Sequence, residues 1–161
     1  MQKLIEKFAW LHDHKVALLG HLRSPLLLAI RLYWGWSFFQ TGWGKLTHHE
    51  KITGFFTSLN IPAPGLNAWV AGAVECFGGL LLFAGLGTRT VCFPLIFTML
   101  VAYATAEREA LVSAEKFTEA APFLFLYACV IVMIFGPGDF SIDHLIARWW
   151  EKKHSSPKPA A

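Results

Sequence analysis

Two ionisable residues interrupt long apolar runs: Arg31 within PLLLAIRLYWGWSFFQTGWG, residues 25–44, and Glu75 within WVAGAVECFGGLLLFAGLG, residues 69–87. A charged side chain at the centre of a membrane helix costs about 2.5–3.5 kcal/mol even on the lenient insertion scale, so it turns toward other helices and takes a partner. Helical spacing names the candidates. Arg31, Gly35, Phe38, Gly42 and Lys45 step by four and three residues along one stripe, and Glu75, Gly79, Leu82, Leu86 and Arg89 form a second stripe. If the two helices run in opposite directions, the helical rise brings Lys45 and Glu75 to the same outer half of a bilayer. Tyr103 and Glu107, four apart and therefore on one face, reach a similar level on a third run. A carboxyl taken out of water favours its neutral form, which suits it to binding or relaying a proton. Glu75 is the candidate proton acceptor of this cluster, against the alternative that it is structural. Lys45, Tyr103 and Glu107 are its candidate hydrogen-bonding and electrostatic partners.

Arg31 sits about 10 Å above the inner boundary by the same reckoning and can reach down to Asp139 or Asp143, beyond the Gly136-Pro137-Gly138 turn. Arg89 joins that inner group. These four residues read as a structural ion-pair set that holds helix ends together, with a functional role as the alternative. Gln40 is at a useful depth but lies on the opposite side of its helix.

The elements that carry these residues follow from composition. Of 161 residues 55% are apolar, 15% aromatic and 16% charged, whereas a soluble domain carries about 25% charged residues. The chain is too apolar for disorder or an ordinary soluble globule, and one domain is expected. A net charge of +3 with no basic stripe gives nucleic-acid binding no support. Cys76, Cys92 and Cys129 lie far apart in apolar runs and read as small hydrophobes, not as a disulfide framework or metal site.

Four runs approach the length that spans about 30 Å of hydrocarbon: Pro25 to Gly44, Trp69 to Gly87, Thr90 to Ala106 and Ala120 to Phe135. The expected fold is all-α, an integral membrane antiparallel four-helix bundle occupying residues 25–136. Amphipathic interfacial helices flank it: residues 1–24, with Leu4, Phe8, Leu11, Leu18 and Leu22 at helical spacing, and residues 137–153, with Ser141 as N-cap. Residues 154–161 are expected to be disordered. The second and third runs are joined by the tight turn Gly85 to Arg89, whereas Thr47–Leu66 reads as an apolar surface loop and Glu107–Glu119 as a charged one. Nine Lys and Arg residues fall on the side of both termini and four on the other, which places both termini in the cytoplasm.

Gly72, Gly78, Gly79, Gly85 and Gly87 suit close helix packing and a tight turn, the alternative being the close approach of a flat ring. His48 and His49 are adjacent and lack chelating spacing, and most tryptophans sit where an aromatic belt accounts for them. No phosphate-binding loop, HExxH, haem-attachment CxxCH or nucleophile elbow occurs, so hydrolase and kinase chemistry is excluded. Nor is there a flavin, haem or metal motif.

The order Arg31, Gly35, Phe38, Gly42, Lys45, then Glu75, Gly78, Gly79, Leu80, Gly85, Arg89, then Gly136-Pro137-Gly138 with Ser141 and Asp143 resembles the DoxX family of small bacterial membrane proteins over residues 25–145. The resemblance implies four transmembrane helices in the bacterial cytoplasmic (inner) membrane and a place in respiratory or redox-stress systems. Some relatives are subunits of thiosulfate:quinone oxidoreductases; others are linked to oxidative or metal stress. One reading is therefore a component that binds quinone or quinol, with Glu75 accepting a proton, Lys45 and Tyr103 assisting and aromatic residues such as Phe38 packing the ring. A second is a non-catalytic anchor for a soluble redox or metal-handling protein, docked on the Thr47–Leu66 and Glu107–Glu119 segments. A third, small-solute transport, requires a homo-oligomer and ranks last.

Overall fold

A computed structural model describes residues 2–154, with the backbone alone described for residues 2–19 and 21. Seven α-helices account for most of it: α1 (Gln2–Thr47), α2 (His49–Ser58), α3 (Pro64–Ala84), α4 (Thr88–Thr105), α5 (Ala114–Glu119), α6 (Pro122–Phe135) and α7 (Ile142–His154), with a 3-10 helix at Arg108–Val112 between α4 and α5. No strand occurs among the described residues.

α1 packs along α3, α3 on α4, α4 on α6, and α6 back on α1. Between them lies a core of Leu27, Phe38, Leu82, Cys92, Leu95, Met99, Cys129 and Val132. α3 and α4 are long and apolar enough to cross a membrane, whereas α6 is apolar but only 14 residues long, shorter than the roughly 20 residues that a perpendicular crossing needs. The outward faces of α3, α4 and α6 are apolar as well, with Phe77, Phe93, Phe97 and Ile134 all more than half exposed. This is the inverse of a soluble helix, whose outward face is polar.

Three expectations change. The N-terminal segment is not separated from the first apolar run by a break in the helix: α1 continues through Pro25. The side chains of Leu4, Phe8, Leu11 and Leu18 lie outside the described residues, while Leu22 is exposed. The segment expected as a surface loop contains α2, which lies against α3. Ile52, Phe55, Phe56 and Leu59 have the helical spacing that accounts for this. Chain reversal is completed by Asn60 and Ala63, both at positive φ, before Pro64 opens α3. The charged segment is likewise ordered, as the 3-10 helix and α5, which Ser113 caps by accepting from the Lys116 N–H at 3.3 Å. Residues 155–161 of the expected tail lie outside the described residues, and His154 belongs to α7.

Two expected boundaries hold in detail. α3 ends at Gly85, whose N–H bonds the Leu82 carbonyl at 3.2 Å while that of Leu86 bonds Leu81 at 3.0 Å. This Schellman pattern requires a left-handed residue, and Gly85 has φ 72°. At the other end of the chain Ser141 caps α7, accepting from the His144 N–H at 3.1 Å. α7 has no buried residue and exposes Leu145, Ile146, Trp149 and Trp150.

Candidate functional site

The glycines of α1 and α3 build the site. A Cβ on Gly35 would lie 2.7 Å from the Phe83 nitrogen and 2.9 Å from the Gly79 oxygen, and one on Gly79 would lie 2.7 Å from the Gly35 oxygen. Two turns further along α1, a Cβ on Gly42 would run into the backbone of Cys76 and lie 2.7 Å from the Gly72 oxygen. The two backbones are therefore in direct contact, and numbers rising along α1 meet numbers falling along α3. Side chains on a helix lean toward its N-terminus. Lys45, whose Cβ lies opposite Gly72, leans back toward the level of Cys76, and Glu75 leans the other way toward Gly72. The two meet midway, and Lys45 Nζ donates to Glu75 Oε2 as an ion pair. Glu75 keeps 4% of its side chain exposed and Lys45 24%, so the carboxylate is enclosed while the ammonium stays open on one side.

Other members of the expected cluster are held elsewhere. The buried Tyr103 hydroxyl donates to the Phe117 carbonyl at 2.7 Å, and its ring stacks on that of Phe117 with centroids 4.5 Å apart. Tyr103 thus fastens α5 over the end of α4. Glu107 is partly buried where α4 gives way to the 3-10 helix. Phe38 is fully buried, edge-on to Phe125 of α6 at 4.7 Å. The ring surface beside the α1–α3 seam is supplied instead by Trp36, Phe39, Trp43 and Phe83. Trp36 lies 5.2 Å from Phe39 and 6.4 Å from Phe83, and Phe39 stacks on Trp43 at 6.2 Å. In the sequence an aromatic belt accounts for the tryptophans among these, and nothing singles out Phe39.

The inner residues do come together, with different partners from those expected. Arg31 is buried and donates from Nη2 to the Phe140 carbonyl at 2.5 Å. Its Nη1 fills the place that a Cβ on Gly85 would take. Asp143 does not chelate the guanidinium; its carboxylate is taken up by backbone groups instead. Its Oδ1 and Oδ2 accept from the Gly87 and Thr88 N–H groups at 2.7 and 2.9 Å, and its own N–H donates to the Gly85 carbonyl at 2.9 Å. An aspartate at the start of α4 satisfies two otherwise orphaned donors and meets the positive end of the helix dipole. Asp139 accepts from Ser24 Oγ at 2.5 Å, tying the loop before α7 to α1. Arg89 reaches over Gly136, its guanidinium 3.3 Å from where a Cβ would stand. An open cleft of about 400 Å³ lies at this end, lined by Arg23, Ser24, Phe135, Asp139, Asp143 and His144 among others.

Apolar outward faces around an enclosed arginine and an enclosed lysine–glutamate pair define the class, a helical membrane protein. Residues 26–108 match the profile of the DoxX family, and the chain belongs to that family. It is 35% identical over 83 residues to "Putative oxidoreductase CatD" of Bacillus subtilis, covering 52% of this chain and 60% of that one. It is 30% identical over 119 residues to "Inner membrane protein YqjF" of Escherichia coli, covering 70% and 85% of the two chains. "Uncharacterized membrane protein Rv3486" of Mycobacterium tuberculosis is 28% identical over 135 residues, covering 77% and 83%. No solved structure matches.

Proposed function

We propose that the protein is a four-span component of the bacterial cytoplasmic membrane that binds quinone or quinol within a respiratory or redox-stress system. The observation that carries this reading is the Lys45–Glu75 pair, enclosed in the seam where α1 and α3 touch backbone to backbone. α1, α3, α4 and α6 form an antiparallel bundle, both chain termini face the cytoplasm, and α7 lies along the inner interface with Trp149 and Trp150 in the headgroup region. A homo-oligomer is compatible with this arrangement.

The residues present fit such a ligand. Lys45 offers a hydrogen-bond donor to a ring oxygen and Glu75 a nearby proton acceptor, while the ladder of Trp36, Phe39, Trp43 and Phe83 lies on the outward side of the seam, away from the pair. A quinone bound there supplies a two-electron, two-proton couple. Glu75 holds the proton at its carboxylate, Lys45 sets the charge around it, and the glycine seam fixes the separation of the two groups. The oxidoreductase name of the Bacillus relative is in keeping with a redox-linked role. The reading is tested by quantifying quinone in an organic extract of gently purified protein. Stoichiometric quinone that falls at least tenfold in Glu75→Gln is expected; unchanged quinone content and unchanged activity of the complex make Glu75 structural.

A second reading is favoured by α2, which has no buried residue and leaves Phe55 about half exposed. On this reading the chain anchors a soluble redox or metal-handling protein. Loss of a co-purifying partner on replacing Phe55 and Phe56 by Ser, with quinone content unchanged, selects it.

A further inference from the structure

α1 meets α3 through Gly35 and Gly42, and positions 33 and 40, two residues back from each at about 100° per residue, stand on the opposite side of the helix. They carry Tyr33, 67% exposed, and Gln40, exposed as well. Tyr33 lies about 12 Å along the helix from Pro25 and Gln40 about 6 Å short of Gly44, so both stand within the membrane run. Among the described residues neither the Tyr33 hydroxyl nor the Gln40 amide has a hydrogen-bond partner. A polar group turned to hydrocarbon without a partner is costly, and in membrane bundles such groups bond across to another helix. Gly44, on the same stripe, has nothing within 4 Å of the place its Cβ would take, which leaves another helix room to approach closely.

The same stripe continues toward the N-terminus through Ala29, Leu26 and Leu22, the two leucines more than half exposed, and then by steps of three and four through positions 18, 15, 11, 8 and 4. Apart from Lys15, those five positions hold leucine or phenylalanine. α1 is one helix from Gln2 to Thr47, so residues 2–24 extend about 35 Å beyond the membrane run. The stripe is therefore polar where the helix crosses lipid and apolar where it stands in water, the reverse of what either solvent favours. Lipid covers the first half alone and a soluble protein the second alone, whereas a second helix of the same kind covers both. We propose that this stripe is the two-fold seam of a homodimer, in which α1 packs along the parallel α1 of a second copy. The parallel sense rests on the membrane-spanning reading above: two copies inserted the same way are related by an axis along the membrane normal, which sets each residue level with its own counterpart. Gln40 then faces Gln40, and a side-chain amide, with two donors and an acceptor, complements a copy of itself.

The test uses the full chain in membrane vesicles treated with copper phenanthroline and run on a non-reducing gel. Gln40→Cys, Leu26→Cys and Leu11→Cys are each expected to give a disulfide-linked dimer. The parent, whose three cysteines are buried, and Phe97→Cys, on the outward face of α4, are expected to stay monomeric. In liposomes, energy transfer between donor- and acceptor-labelled copies under lipid dilution gives the dimer dissociation constant, which Gln40→Leu should raise about threefold to fivefold and Gln40→Asn less. Equal cross-linking of Phe97→Cys, or monomer at every α1 position, overturns the dimer. Cross-linking of Gln40→Cys without Leu11→Cys, or of Leu11→Cys to a different protein, overturns the continuous seam. Extraction of the chain by alkaline carbonate overturns the membrane-spanning reading itself, and loss of bound quinone in Glu75→Gln, measured independently, reports on the functional reading alone.

Discussion

Replacing Lys45 by Met removes one partner of the enclosed pair and leaves the Glu75 carboxylate where only 4% of its side chain is exposed. Breaking a buried pair from one side destabilises by about 3–5 kcal/mol, because the remaining charge keeps its desolvation cost without the compensating attraction. Lys45 retains 24% exposure, so solvent and headgroups relieve part of this, and a loss near the lower end, about 3 kcal/mol, is expected. The double variant Lys45→Met/Glu75→Leu removes both charges and should recover most of that loss, since apolar replacements of a buried pair are often neutral or stabilising. Folding free energies of parent, single and double variants, from SDS titration in mixed micelles followed by far-ultraviolet circular dichroism, complete the cycle. A coupling energy of about 2 kcal/mol or more between the two positions is expected. A Lys45→Met variant within about 0.5 kcal/mol of the parent, with no coupling, would refute the claim that this pair is enclosed and energetically joined.

Gly79→Leu places a branched side chain against Phe39 and Gly35; overpacking of about 1–3 kcal/mol, a lower melting temperature and loss of the Lys45–Glu75 pair are expected, the last read from a vanished coupling energy. Asp143→Ala leaves the Gly87 and Thr88 N–H groups without their acceptor and should lower stability by about 1–2 kcal/mol; an Asp143→Ala variant as stable as the parent would show that the carboxylate is not acting as a cap. Tyr103→Phe keeps the stack on Phe117 and deletes one hydrogen bond, so thermal unfolding should show a loss of about 1 kcal/mol and faster hydrogen exchange in α5. A reporter fused after Ala161 is expected to read as cytoplasmic, and an external signal would invert the proposed topology.

The Lys45–Glu75 pair was legible before any coordinates because it depends on quantities internal to two regular helices. Rise per residue sets depth, a step of three and four sets the face, and successive membrane-crossing runs go in opposite directions. The Gly85 turn and the Ser141 cap were legible for a similar reason: their chemistry is complete within five or six consecutive residues. α2 was also within reach, but its apolar composition hid a helical period that Ile52, Phe55, Phe56 and Leu59 display.

Contacts made by loops with the ends of distant helices were not legible. Arg31 meets the Phe140 carbonyl rather than a carboxylate, and a carbonyl is present at every residue, so no side-chain type announces it. Asp143 was counted as a counter-ion for Arg31, yet the nearer claim on it comes from two backbone N–H groups of a helix that begins 55 residues earlier in the chain. Tyr103 shares a face with Glu107, but its hydroxyl answers to α5, which folds back over it. Cys92 and Cys129, 37 positions apart in sequence, join one buried core only because α4 packs on α6. Periodicity assigns each residue a depth and a face on its own helix; which atom of which segment occupies the space opposite is decided by the packing of the helices and the path of the loops between them.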